Sequence, residues 1–291
     1  MLFTGTGVAI VTPFCNDRTV DFDALQRIVN HCIAGGVDYI VVLGTTGESV
    51  TLSDKEKKDA VKCVVDATAG RVQIVAGFGG NDTADVVSKI KTSDFTGVSG
   101  ILSVAPYYNK PTQAGMIEHF KAVAAASPVP VIIYNVPART GVNMTAETTL
   151  TLAHEIDNIV SVKEASGAMP QIMQIIKDRP ENFSVVSGDD VMSLPLIAVG
   201  GHGVISVAAN ALPQEVATII RNSLNNNFAK AQIAHYSMLE IFEALFIDGN
   251  PSGIKAALNI LGLCQNVLRL PLVPATESTY KKIEMLIGLR V

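Results

Sequence analysis

Val131-Ile132-Ile133-Tyr134-Asn135-Val136-Pro137, followed at 158–167 by Asn158-Ile159-Val160-Ser161-Val162-Lys163-Glu164-Ala165-Ser166-Gly167, is the stretch that decides the architecture. Each half is a short, β-branched apolar run that gives way to polar residues, and a helical pattern at 146–156 separates them. Apolar runs that are continuous rather than alternating imply strands covered on both faces, hence parallel strands joined by crossover helices.

Working outward, the same unit recurs. Strand candidates fall at 8–13, 39–44, 73–77, 100–105, 131–136, 159–163, 183–187 and 203–207, with helical stretches at 22–34, 53–69, 83–94, 113–125 and 146–156. Eight such units fit a closed barrel better than an open sheet, so the fold class is α/β, a (β/α)8 TIM barrel. Ser53-Asp54-Lys55-Glu56 reads as a capping box, and Asp82 and Thr145 stand before acidic first turns. Asn225-Asn226-Asn227 interrupts the pattern, and helical segments at 229–246, 252–261 and 277–289 follow. The expected division is a barrel over 1–224, carrying the active site, and a small C-terminal α-helical appendage over 225–291.

Composition narrows the function classes. Of 291 residues, 48% are hydrophobic and 17% charged, which supports a large core and argues against disorder. The longest apolar runs, such as 129–136, are far shorter than the ~20 residues of a membrane span. No basic segment precedes an apolar stretch at the N-terminus, so a cytoplasmic protein is expected. The formal net charge is −5 with no basic stripe, which disfavours nucleic acid and anionic membranes as partners. Cys15, Cys32, Cys63 and Cys264 are scattered, as are His31, His119, His154, His202 and His235. Neither set has metal-ligand spacing, so no metal is expected, and Cys32 and Cys63 read as buried reduced thiols.

In a parallel barrel, chemistry collects where the strands end. Strand two ends in Gly44-Thr45-Thr46-Gly47-Glu48, a tight turn with amides and hydroxyls suited to a carboxylate or phosphate oxygen. Strand four ends in Tyr107-Tyr108, and strand five in Tyr134, followed by Arg139, which can clamp a carboxylate. Lys163 closes an apolar run, and alternation places it and Glu164 on opposite faces, so at least one of the two charges is partly buried. A desolvated ammonium loses its proton more readily, and the neutral amine can attack a ketone to form an imine. Taken singly, each of these residues also has an ordinary structural reading. The sequence carries neither the dinucleotide-binding glycine spacing nor a phosphate-binding loop followed by Lys.

The segments GTTGES (44–49), PYYNKP (106–111), YNVPARTG (134–141), VKEASG (162–167), SGDD (187–190) and GGHGVIS (200–206), with FIDGNPSGIKAAL (246–258), occur in the order seen in the dihydrodipicolinate synthase family. The chain resembles that family from its first strand to its C-terminal helices. The resemblance implies condensation of pyruvate with L-aspartate-4-semialdehyde on the route to diaminopimelate and lysine, through a covalent pyruvate imine on Lys163 and without another cofactor. It implies proton transfer by Tyr134, relayed through Thr45 to Tyr108, with Tyr108 reaching into a partner's site. Thr46 and its neighbouring amides would hold the pyruvate carboxylate, Arg139 the semialdehyde carboxylate, and Gly188 and Ile205 would offer backbone contacts. A homotetramer built from tight dimers is likewise implied by the family alone.

The resemblance also points to a lysine-effector site at Ser49, Val50, Asn81, Asp85 and Tyr107. Asp85 stands where a glutamate is common, and Asp54 and Lys57 where some inhibited enzymes have histidines. Lys57 disfavours an ammonium nearby while Asp54 and Asp85 favour one. Sister aldolases, such as N-acetylneuraminate lyase or 2-keto-3-deoxy-sugar-acid aldolases, share the lysine, the tyrosine and the Gly-Thr-Thr turn. Arg139 and the Tyr107-Tyr108 pair favour the synthase, and the presence of both Lys163 and Tyr134 argues against a non-catalytic sensing barrel.

Overall fold

The computed structural model describes residues 1–289. The strands are β1 (Gly5–Ala9), β2 (Tyr39–Val42), β3 (Gln73–Gly77), β4 (Gly100–Val104), β5 (Val131–Asn135), β6 (Ile159–Glu164), β7 (Ser184–Ser187) and β8 (Gly203–Ser206). They are parallel and close into a barrel in sequence order, β1 pairing with both β2 and β8. The helices are α1 (Phe22–Ala34), α2 (Asp54–Thr68), α3 (Thr83–Lys91), α4 (Gln113–Ala126), the single turn α5 (Pro137–Thr140), α6 (Ala146–Glu155), α7 (Met169–Asp178), α8 (Ser193–Ala198), α9 (Pro213–Leu224), α10 (Phe228–Ala244), α11 (Ser252–Ile260) and α12 (Glu277–Gly288). The expected fold class is borne out, and the three C-terminal segments are α10 to α12. The last two positions of the expected appendage lie outside the described residues.

Local chemistry sets the register of the helices. Ser53 accepts from the Glu56 amide while the Glu56 carboxylate accepts from the Ser53 amide, the capping box read from the sequence. Asp82 and Thr145 cap α3 and α6 through their own side chains, accepting from the Ala84 and Asp85 amides and from the Thr148 amide. The first strand departs from expectation, beginning at Gly5 rather than residue 8. Its glycines weaken the strand signal, yet packing demands one of them, because a Cβ on Gly7 would lie 2.3 Å from the Tyr39 ring.

Apolar side chains divide between the barrel lumen and the layer under the helices. Ala9, Tyr39, Val41, Val75, Leu102, Ile132, Tyr134, Val186 and Ile205 share the inner cluster. Ile133, Ile159, Val162 and Val185 pack outward against helices. Ile159 and Val162 are three residues apart yet share the outer layer, which strict alternation forbids. The reason is a register shift against β5: Val131 pairs with Ile159 but Ile132 with Ser161, so β6 holds one extra residue. The C-terminal helices are continuous with the barrel core, since Met238, Ile241, Phe242, Ile254 and Leu258 share a buried cluster with Val8, Ile10 and Ile40. Cys32 and Cys63 are buried free thiols, as read. Among the described residues, no helix is long and apolar enough to cross a membrane.

Candidate active site

Past the β6 bulge, Lys163 pairs in register with Tyr134 and Glu164 with Asn135. The first pair therefore points into the lumen and the second towards the helices. Both charged side chains are buried, Lys163 at 5% exposure and Glu164 at 2%. Glu164 is satisfied from its side of the sheet, accepting from Asn135 Nδ2, the Ser166 amide at 2.7 Å and Gln171 Nε2 at 3.1 Å. Lys163 forms no hydrogen bond or ion pair among the described residues; its Nζ lies over the Tyr134 ring, 4.3 Å from the centroid.

Burial without a paired anion governs its titration. Desolvation lowers the Lys163 pKa from the ordinary 10.5 to about 8, with Asp190 opposing the change and Arg139 adding to it. Burial likewise pushes the Tyr134 phenol up to about 12, against the pull of Arg139. Tyr134 is thus a neutral O–H beside an amine that exchanges its proton near neutrality. Asp190 is itself buried, which raises its pKa, while the Ser206 hydroxyl and the Val207 and Ala208 amides donate to it and oppose that rise. Gly188 makes room for the lysine, since a Cβ there would lie 3.0 Å from Lys163 Cε and 2.7 Å from Ala165 Cβ. Ile205 is wholly buried in the lumen.

The turn after β2 winds as a single 3-10 turn over Thr45–Gly47, with Glu48 in the left-handed region at φ 48°. Its own bonds use the amides of Gly47 and Glu48, leaving those of Thr45 and Thr46 outside the pattern. The turn is held from below by a charge pair without solvent contact. Glu48 accepts from Lys255 Nζ and, at 3.1 Å, from the Arg269 amide; the Lys255 ammonium also donates to the Val267 carbonyl and covers the Phe14 ring. Thr46 is buried and accepts from Asn250 Nδ2 at 3.0 Å, while the Asn250 carbonyl accepts from Arg139 on α5 at 3.4 Å.

A cavity of about 1100 Å³ opens above these groups. Thr45, Tyr107, Tyr134, Arg139 and Asn250 line it, and it extends over Ser49, Val50, Asn81 and Asp85 between α2 and α3. Thr45, Tyr134 and Arg139 therefore share one continuous space with the candidate effector residues. Lys163, Thr46, Gly188 and Ile205 are not on its wall. Tyr108 stands apart, 88% exposed with φ 70°. Within one chain no hydrogen bond among the described residues joins Tyr134 to Thr45 or Thr45 to Tyr108. In the effector region Asp85 pairs with Lys89 at 2.6 Å and Lys57 with Asp54 at 3.7 Å, so each charge noted in the sequence has an opposite charge beside it.

Sequence reasoning missed Asn250, Asp190 and the Glu48–Lys255 pair. Lys255 did carry a signal, as the lone charge in the apolar run Ile254-Lys255-Ala256-Ala257-Leu258. Asn250 stands within the quoted segment FIDGNPSGIKAAL, but nothing local marks its role, because its contacts lie 204 and 111 residues away.

A closed parallel barrel holding a lone lumenal lysine beside a tyrosine at its C-terminal rim defines a class: barrels built for Schiff-base chemistry on carbonyl compounds. Comparison with known proteins resolves the class further. The model of the dihydrodipicolinate synthetase family matches residues 2–289. A 4-hydroxy-tetrahydrodipicolinate synthase of Parabacteroides distasonis is 51% identical, covering 96% of this chain and 94% of that one. The dihydrodipicolinate synthase of Aquifex aeolicus superposes with a TM-score of 0.95 at 42% identity, over 99% of this chain and 98% of that one. The enzyme of Cyanidioschyzon merolae, solved with lysine bound, does so with a TM-score of 0.95 at 39% identity, over 98% and 97%. The chain belongs to the dihydrodipicolinate synthetase family, and the resemblance drawn from its motifs is borne out.

Proposed function

We propose roles for individual residues in the reaction of this family: the chain is a lyase that condenses pyruvate with L-aspartate-4-semialdehyde to 4-hydroxy-tetrahydrodipicolinate, a step towards diaminopimelate and lysine. One observation carries the assignment of the nucleophile. Lys163 is a buried lysine with no anion in contact among the described residues, poised to be neutral above about pH 8.

The neutral Lys163 amine adds to the pyruvate ketone, and loss of water from the carbinolamine leaves the imine. Removal of a methyl proton gives the enamine, whose terminal carbon attacks the aldehyde of the second substrate; the resulting alkoxide takes a proton. The substrate's own amino group then adds to the imine carbon and displaces Lys163, closing the ring. Tyr134, at the lysine and still carrying its proton, is the group that passes protons in these steps. Thr45 and Tyr108 continue the relay, with Tyr108 supplied by a partner subunit. Its exposure in the isolated chain and its absence from Tyr134's surroundings support that origin.

Thr46 and the amides of its turn receive the pyruvate carboxylate, Arg139 receives that of the semialdehyde, and Gly188 and Ile205 line the lumen beside the imine. No further cofactor takes part. The active assembly is a tetramer of two tight dimers in the cytoplasm, and residues 225–291 form an appendage that buttresses the catalytic barrel of residues 1–224. Ser49, Val50, Asn81, Asp85 and Tyr107 form an effector site for lysine, on the same cavity. Val50, 83% exposed, would be covered by the partner.

Borohydride reduction in the presence of pyruvate tests the core of this reading. A reduced pyruvyl adduct mapped to Lys163, together with consumption of the semialdehyde, is the expected result. An adduct at another lysine, or none, would remove Lys163 from the mechanism.

A further inference from the structure

Thr46 has one hydroxyl proton, and the structure fixes where that proton does not go. Asn250 Nδ2 donates to Thr46 Oγ1 at 3.0 Å, and both residues are buried, Asn250 at 8% exposure. An amide NH2 can only donate. It occupies an oxygen lone pair and repels the hydroxyl proton from its own direction. No acceptor for that proton is found among the described residues. Asn250 is itself held firmly: its carbonyl receives Arg139, and Lys255, five residues on, is tied to Glu48 two residues after Thr46. The Oδ1 atom of Asn250 is buried with no partner among the described residues, so none of them anchors the amide through its oxygen.

We propose that Asn250 is a positioning residue that fixes Thr46 as a hydrogen-bond donor, setting the turn for the carboxylate of a 2-oxo acid. The segment entering α11 thereby controls substrate affinity from a part of the chain remote in sequence from every strand end. With the amide reversed, Oδ1 would accept the Thr46 proton and the hydroxyl would present only lone pairs to an anion. The inference rests on the assignment of the pyruvate carboxylate to Thr46.

The test is the pyruvate concentration that half-saturates borohydride trapping, read by intact mass, with circular dichroism as a check on folding. Asn250→Ala should raise it about 5- to 10-fold, the worth of one hydrogen bond to a charged group, while trapping at saturation stays complete. Asn250→Asp, which can only accept, should raise it further. In a Thr46→Val background Asn250→Ala should add less than about twofold, because its effect passes through the missing hydroxyl. Asn250→Ser replaces Asn250→Ala if the latter does not fold. An unchanged half-saturation in the single variant, or an effect that adds in full to Thr46→Val, overturns the proposal. Wild-type protein that traps no pyruvate overturns instead the 2-oxo acid reading beneath it.

Discussion

Among the described residues two lysines are buried, one in the barrel and one in α11, and they have opposite fates. Lys255 has no solvent contact, yet Glu48 and the Val267 carbonyl meet its ammonium and the Phe14 ring lies 4.0 Å away. Lys163 has an aromatic ring at nearly the same distance but no carboxylate in contact. Burial depresses both pKa values, while Glu48 pulls Lys255 back towards its charged form. An ammonium with a contacting anion holds a turn in place. One without is free to become an amine, the state that the proposed role of Lys163 requires.

Removing each lysine should separate the two cases. Lys163→Met should abolish adduct formation and lower turnover by at least about 10⁴-fold. The same variant should be more stable than wild type at pH 7 by up to about 3 kcal/mol, since a displacement from 10.5 to about 8 is a cost to the folded state. The sign follows from proton counting. Between about 8 and 10.5 the unfolded chain binds more protons at this site, so wild-type stability should rise with pH through that window, and the full cost applies below it. A stability difference between variant and wild type that stays flat from pH 7 to 10.5 would contradict the account. Lys255→Met should do the reverse, costing about 3–5 kcal/mol by stranding Glu48. Adding Glu48→Leu should restore much of that loss in chemical denaturation; a double variant no more stable than Lys255→Met would deny the pairing its role.

Gly188→Ala sharpens the same contrast from the side of space rather than charge. The methyl would press on Lys163 Cε and Ala165 Cβ, costing about 1–3 kcal/mol and slowing imine formation, whereas Gly288→Ala, at an open position with no positive φ, should leave trapping unchanged. The smallest effect is in the pH profile. Trapping at low pyruvate should rise about tenfold per pH unit below the Lys163 pKa and level off above about 8. A profile still climbing steeply at pH 10 would place the lysine in a more solvated setting.

Most of the barrel was legible because continuous apolar runs are a local property of sequence. β1 was misplaced by a few residues because Gly5 and Gly7, chosen for closeness to neighbouring groups, look like loop residues until those neighbours are seen. Lys163 was legible as a charge ending an apolar run, Tyr134 by its place at the end of a strand and Arg139 by its place in the loop that follows. Asn250 and Asp190 were not, since an asparagine in a loop or an aspartate after a strand gains its role only from groups that folding brings near. The Tyr108 assignment has the same character one level higher, needing a second chain to have meaning.

The extra residue in β6 has a consequence in the language of genes. Had β6 continued the pairing of Val131 with Ile159 without interruption, Lys163 would lie opposite Asn135 and face the helices. A three-base deletion at codon 160 would take out the surplus residue itself and leave Lys163 opposite Tyr134 and Glu164 opposite Asn135. The bulge is thus the one place in this strand where a codon can be lost without turning the lysine away from the lumen. A cell depending on such a reading frame should still grow without added diaminopimelate.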